Sequence, residues 1–192
     1  AKYIFVSNNF RFGNKRVGDV NELIRNQKNY NYKIVKPRPF KIKNKTISST
    51  LIRTLLSNGK IELVNKLLSR NWSIESKVEK GRQLAKKIGF PTCNLNIKNY
   101  VIAKTGVYAV KIYQKNKNLS LKGIANLGYR PTFNEKKILL EVHIFNFSGN
   151  LYNKHLIIEF ISFIRKEKKF KNINQLRKQI NLDLKIAKKK LN

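Results

Sequence analysis

"ILLEVHIFNF", residues 138–147, is the stretch on which the fold turns. Leu140, Val142 and Ile144 alternate with Glu141 and His143. A strand would put the apolar set on one face and the carboxylate and imidazole on the other. The same alternation runs through "GVYAVKIY" (106–113), "LSLKGIANL" (119–127) and "HLIIEFISFI" (155–164), with turn residues between them. Short strands at this spacing predict a small antiparallel barrel. Beyond them Ile173, Leu176, Ile180, Leu184, Ala187 and Leu191 recur every three or four residues, which predicts a closing amphipathic helix.

Ahead of residue 70 the texture is different. "YIFV" (3–6) reads as a strand, "VNELI" (20–24) as one or two helical turns and "YNYKIVK" (30–36) as another strand. "ISSTLIRTLLSNG" (47–59) predicts a helix capped by Ser48 or Ser49 and ended by Gly59. "IELVNKLLSR" (61–70) predicts a second helix. The expected organisation is therefore a partial α/β segment over 1–70 and a mainly β domain over 71–192.

Composition limits the function classes. Of 192 residues 41% are hydrophobic, enough for a core, and no apolar run reaches the roughly 20 residues of a membrane span. One cysteine, Cys93, excludes an intramolecular disulfide and, with no signal-peptide pattern, points to a reducing cytoplasm. Neither His143 nor His155 makes a zinc-type spacing with it. Lys+Arg number 42 against 10 Asp+Glu, a formal charge of +32. Such a field draws in anions, nucleic acid among them. The lysines are spread along nearly every segment, however, which reads as overall composition and not as a dedicated nucleic-acid face.

The chemistry concentrates in "KGRQLAKKIGFPTCNLNI", residues 80–97. Gly81 and Gly89 bound a basic loop with Arg82, Lys86 and Lys87, of the kind that wraps phosphates. Pro91 enforces an extended bend, after which Thr92 and Asn94 fall on one face and Cys93 on the other. A hydroxyl and a carboxamide oxygen are hard neutral ligands suited to Mg²⁺. Spacing alone fits a solvated turn before an edge strand equally well. A Walker loop and the protein-kinase motif set are both missing, so phosphoryl transfer here would need another scaffold. It would also gain from a carboxylate that takes the acceptor's proton. Only Glu141 and Glu159 lie within strongly apolar strands.

Taken in order, "VEKGRQLAKKIGFPTCNLNI", "TGVYAVKIY", "GIANLGYRPTF", "LEVHIFNFSGNLYNKHLIIEF" and "IRKEKKF" resemble bacterial riboflavin kinase, from about Trp72 onward. "VSNNFRFGNKRVGD" and "ISSTLIRTLL" resemble the end of the FMN adenylyltransferase domain that precedes this kinase in the bifunctional riboflavin kinase/FAD synthetase. The resemblance implies a six-stranded antiparallel barrel with a C-terminal helix, transferring the ATP γ-phosphate to the riboflavin 5′-hydroxyl. It places Mg²⁺–ATP on Thr92 and Asn94, with Gly81 and Lys86 in the phosphate loop and Glu141 as the catalytic carboxylate. Arg165, Glu167, Phe170, Tyr129 and Arg130 fall on its flavin side. Ser48, Ser49, Thr50 and Arg53 match the adenylyltransferase nucleotide motif. The expected partners are riboflavin/FMN and ATP/ADP, with no membrane, in a monomer or weak oligomer. Adenylyl transfer is expected only together with the family's preceding His-x-x-His-type motif, which has no counterpart in these residues. Ala85, Cys93 and Asn9 stand where the family commonly has Gly, Ala and Asp. The alternatives are a basic nucleic-acid-binding protein and a flavin-binding module without catalysis.

Overall fold

Alternation along the strands becomes a closed surface in the structure, a computed structural model. It describes residues 1–42, 45–81, 85, 88–114, 120–131 and 136–192; of residues 45, 130, 131, 136 and 137 only the backbone is described. The chain divides into two compact units, Ala1–Ser48 and Ser49–Asn192.

In the first unit, β1 (Tyr3–Phe5) pairs in parallel with β4 (Lys33–Val35). Between them lie a short hairpin, β2 (Arg11–Phe12) with β3 (Gly18–Asp19), and the helix α1 (Val20–Arg25). Asp19 caps α1 by accepting from the backbone N–H of Glu22 at 2.9 Å. That bond, supported by Arg11 and Arg25, holds the Asp19 carboxyl below its ordinary range against the opposing effect of desolvation. A second hairpin, β5 (Lys41–Ile42) with β6 (Lys45–Thr46), follows.

The second unit opens with α2 (Ser49–Ser57) and α3 (Ile61–Leu68) and continues into the barrel. Its strands are β7 (Ser73–Glu79), β8 (Cys93–Asn96), β9 (Gly106–Gln114), β10 (Ser120–Pro131), β11 (Lys136–Ile144) and β12 (His155–Arg165). They close in the order β10-β11-β8-β7-β12-β9, every pairing antiparallel. The expected six-stranded barrel is therefore present, and the expected closing helix is α4 (Ile173–Leu191).

Two apolar clusters explain the packing. Inside the barrel Ile74, Val78, Leu95, Tyr108, Val110, Ala125, Leu127, Leu140, Val142 and Phe160 meet. The Phe160 ring lies tilted 4.7 Å from Trp72 and edge-on 5.0 Å from Tyr108. The residues between these face outward. On one side Val107, Ala109 and Ile124 are covered by Ala187 and Leu191 of α4.

The compact division falls ahead of the boundary near residue 70 suggested by texture. The reason is burial: Leu56, Ile61 and Val64 of the two helices belong to the barrel's own core. Asn65 adds a polar tie, donating to the Phe160 carbonyl and accepting from Trp72 N–H, both at 2.8 Å.

Candidate functional site

Strand register assembles the site. Glu79 on β7 stands opposite Asn94 on β8, Asn94 opposite Glu141 on β11, and Glu141 opposite Asn126 on β10. The row continues through Val107 on β9 to Arg165 on β12. Directly opposed residues share a face. The flanking Leu95, Leu140, Val142, Ala125 and Leu127 all point inward, so this polar row lies on the barrel's outer face.

Asn94 is the pivot of the row and is only 5% exposed. With its oxygen turned to the available donor, Oδ1 accepts from the Gly81 N–H at 3.2 Å and Nδ2 donates to Glu141 Oε1 at 3.3 Å. Gly81 permits this approach, because a Cβ there would overlap the Asn94 carboxamide. Backbone, amide and carboxylate thus form one continuous chain. Beside it the Asn96 Nδ2 donates to Glu79 Oε1 at 3.3 Å.

Thr92 lies immediately before β8 and is partly buried. The preceding bend is held from the side: His143 Nδ1 donates to the Pro91 carbonyl at 2.8 Å, which fixes the imidazole tautomer. The Phe90 ring meets His143 edge-on at 5.7 Å. Thr92 also lines a pocket of about 370 Å³, together with Val78, Cys93, Val142, Phe147 and Tyr152. Burial pushes the Cys93 thiol up to about 12, so it is a neutral wall of this pocket.

The flavin-side residues are placed less uniformly. Tyr129 is exposed on β10. Arg165 does not pair with Glu167: its guanidinium is committed to Asp183 of α4. Glu167 instead lies against Gly128, where a Cβ would overlap its carboxylate. Phe170 sits 5.8 Å from the Arg165 guanidinium. Lys86, Arg82, Lys87 and Thr132 lie outside the described residues, as does the side chain of Arg130. Ser48 is exposed, and Ser49, Thr50 and Arg53 are exposed on the first turns of α2. Glu159, the other apolar-strand carboxylate, accepts from Asn71 Nδ2 at 2.9 Å.

Reading the sequence gave no site role to Glu79, Asn126, Asp183 or the 147–152 turn, although all but Asp183 lie within the motifs it singled out. Asp183 left a signal: an acid within the apolar stripe Ile180–Leu184–Ala187 of a lysine-rich helix. The row itself left none, since register is a property of paired strands.

A hydroxyl and an amide oxygen, on Thr92 and Asn94, are donors that suit a hard divalent cation. Among the described residues no cluster of His, Cys, Asp and Glu offers a softer metal site. A closed six-stranded antiparallel barrel with an oxygen-rich row on its outer face defines the class as a small β-barrel protein with a candidate cation site. The family described as Flavokinase, riboflavin kinase, matches residues 68–191, and the chain belongs to it.

The bifunctional riboflavin kinase/FMN adenylyltransferase of Buchnera aphidicola subsp. Schizaphis graminum is 40% identical over 194 residues, covering 100% of this chain and 62% of that protein. The protein of the same description from Haemophilus influenzae is 38% identical, covering 98% of this chain and 61% of its own length. The chain therefore spans about three-fifths of the curated relatives it matches. A crystal structure described as a macrolide-efflux protein from Streptococcus pneumoniae superposes with a TM-score of 0.79 at 26% identity, covering 97% of this chain and 60% of that one. Among the described residues of this chain no helix is long and apolar enough to cross a membrane.

Proposed function

We propose that this chain is a riboflavin kinase, converting riboflavin and ATP to FMN and ADP. The observation that carries the reading is the Gly81–Asn94–Glu141 hydrogen-bond chain on one outer face of a barrel whose family is riboflavin kinase. Gly81 and the basic loop after it receive the phosphates, with Lys86 supplying an ammonium head. Glu141, fixed by Asn94, orients the acceptor hydroxyl and takes its proton as the oxygen attacks. The new bond joins that oxygen to the γ-phosphorus, the bond from the γ-phosphorus to the bridging oxygen breaks, and ADP leaves. Thr92 and Asn94 would hold Mg²⁺, which when bound neutralises charge on the phosphates. The mostly apolar pocket beside Thr92 suits a flat purine base.

Riboflavin's isoalloxazine falls to the opposite end of the row, with Tyr129, Arg130, Arg165, Glu167 and Phe170. Residues 1–70, with Ser48, Ser49, Thr50 and Arg53, correspond in this reading to the end of an adenylyltransferase domain. The cytoplasm, where ATP and riboflavin are both present, is the proposed compartment. The test is direct: the purified chain, given riboflavin and Mg²⁺–ATP, is assayed chromatographically for FMN. Formation of FMN that stops on chelation of the metal supports the reading. No FMN with either Mg²⁺ or Mn²⁺ refutes it.

A further inference from the structure

Asp183 is 1% exposed on a helix whose other charged residues are all basic, and its only charged partner among the described contacts is Arg165, at 2.7 Å. The contact is doubly made: Arg165 Nε donates to Oδ1 at 2.8 Å, and Nη2 donates to Oδ2 at 2.7 Å. Gln179 Nε2 donates to Oδ1 at 3.0 Å and holds the carboxylate from the helix side. Burying an ion pair is a poor way to dock a helix, since an apolar pair of the same volume often does as well or better. The helix has such apolar docking already, through Ala187 and Leu191 on Val107, Ala109 and Ile124.

What the pair fixes is the chain that leaves β12. Arg165 Nη1 donates to the Lys166 carbonyl at 2.9 Å, and the Phe170 ring lies 5.8 Å from the same guanidinium. Between these two anchors Glu167 reaches back to Gly128, which bears no Cβ to obstruct it. Gly128 is two residues along β10 from Asn126, and Asn126 stands opposite Glu141. Arg165 itself closes the same polar row through Val107.

We infer that Asp183 is a positioning residue: through Arg165 it holds segment 166–172 against the acceptor end of the polar row, and so sets affinity for the flavin substrate and not for the nucleotide. The inference rests on the proposed kinase reading.

Three variants of the full 192-residue chain test it. Asp183→Asn keeps the shape and removes the charge. Arg165→Met/Asp183→Leu replaces the pair by apolar side chains and is expected to fold even where the single variant does not. Gly128→Ala leaves the pair intact and displaces Glu167. Each is expected to raise KM for riboflavin about tenfold while KM for Mg²⁺–ATP stays within about twofold. Hydrogen exchange in 166–172 is expected to rise in the two pair variants while the barrel strands keep their protection. Folded variants with parent-like KM for riboflavin, or with equal losses on both substrates, overturn the inference. So does unchanged exchange of the segment in the double variant. A parent chain that makes no FMN defeats the kinase reading instead, and the exchange measurement still decides whether Asp183 holds the segment.

Discussion

Glu141 and Asn94 show how much a single side chain can depend on its cross-strand neighbours. Glu141 is partly buried, its carboxylate accepts from Asn94, and Asn94 in turn accepts from the Gly81 backbone. In the proposed reaction Glu141→Gln preserves shape but cannot take a proton. Turnover is expected to fall roughly 10²–10⁴-fold with little change in substrate affinity. Steady-state kinetics in both substrates measure this, and a parent-like turnover would move the base assignment to another carboxylate. Thr92→Ala is expected to raise KM for Mg²⁺–ATP as well as slow the rate, shown by titrating the metal at fixed ATP. Cys93 allows a test that needs no substrate. With its thiol pushed up to about 12, thiolate is scarce at neutral pH. Alkylation of the native chain at pH 8 is expected to be about 10³-fold slower than in denaturant. The sign on stability follows: the folded state keeps a proton that the unfolded state releases, so stability falls as pH rises from about 9.

Among the elements, α4 and β12 support the Arg165 end of the polar row. The helix starts where Asn172 Oδ1 accepts from Gln175 N–H at 3.0 Å. Asn172→Ala is expected to cost about 1 kcal/mol, read by denaturant unfolding. β12 carries Phe160 inward, fully buried between Trp72 and Tyr108. Phe160→Ala is expected to cost about 3–5 kcal/mol, enough to threaten folding of a domain this size. The strands were legible from alternation because one face of each is buried, and period two is the direct record of that burial. β7 was harder to see: "SIESKVE" (73–79) is polar at four of its outward positions and has few apolar residues to mark it. Register shifts in β12, between Phe160 and Ser162 and between Phe163 and Arg165, were likewise invisible. A bulge changes pairing without changing the local pattern.

For the whole molecule, the net charge of +32 sets a further expectation. If the charge is compositional background, binding to a random oligonucleotide should fall steeply with salt and be lost by about 0.15 M, while flavin binding persists. Fluorescence titrations at several salt concentrations distinguish this from a dedicated nucleic-acid face, which would retain affinity. The sequence by itself determined four of the six barrel strands and the closing helix, since alternation and helical period are properties of neighbouring residues. Only the tertiary structure decided that Glu79, Asn94, Glu141, Asn126 and Arg165 share one row, that α2 and α3 are buried in the barrel's core, and that Asp183 takes Arg165. Those facts depend on strand order, register and burial between residues far apart in the chain. Local pattern limits each face, but closure of the barrel chooses its neighbours.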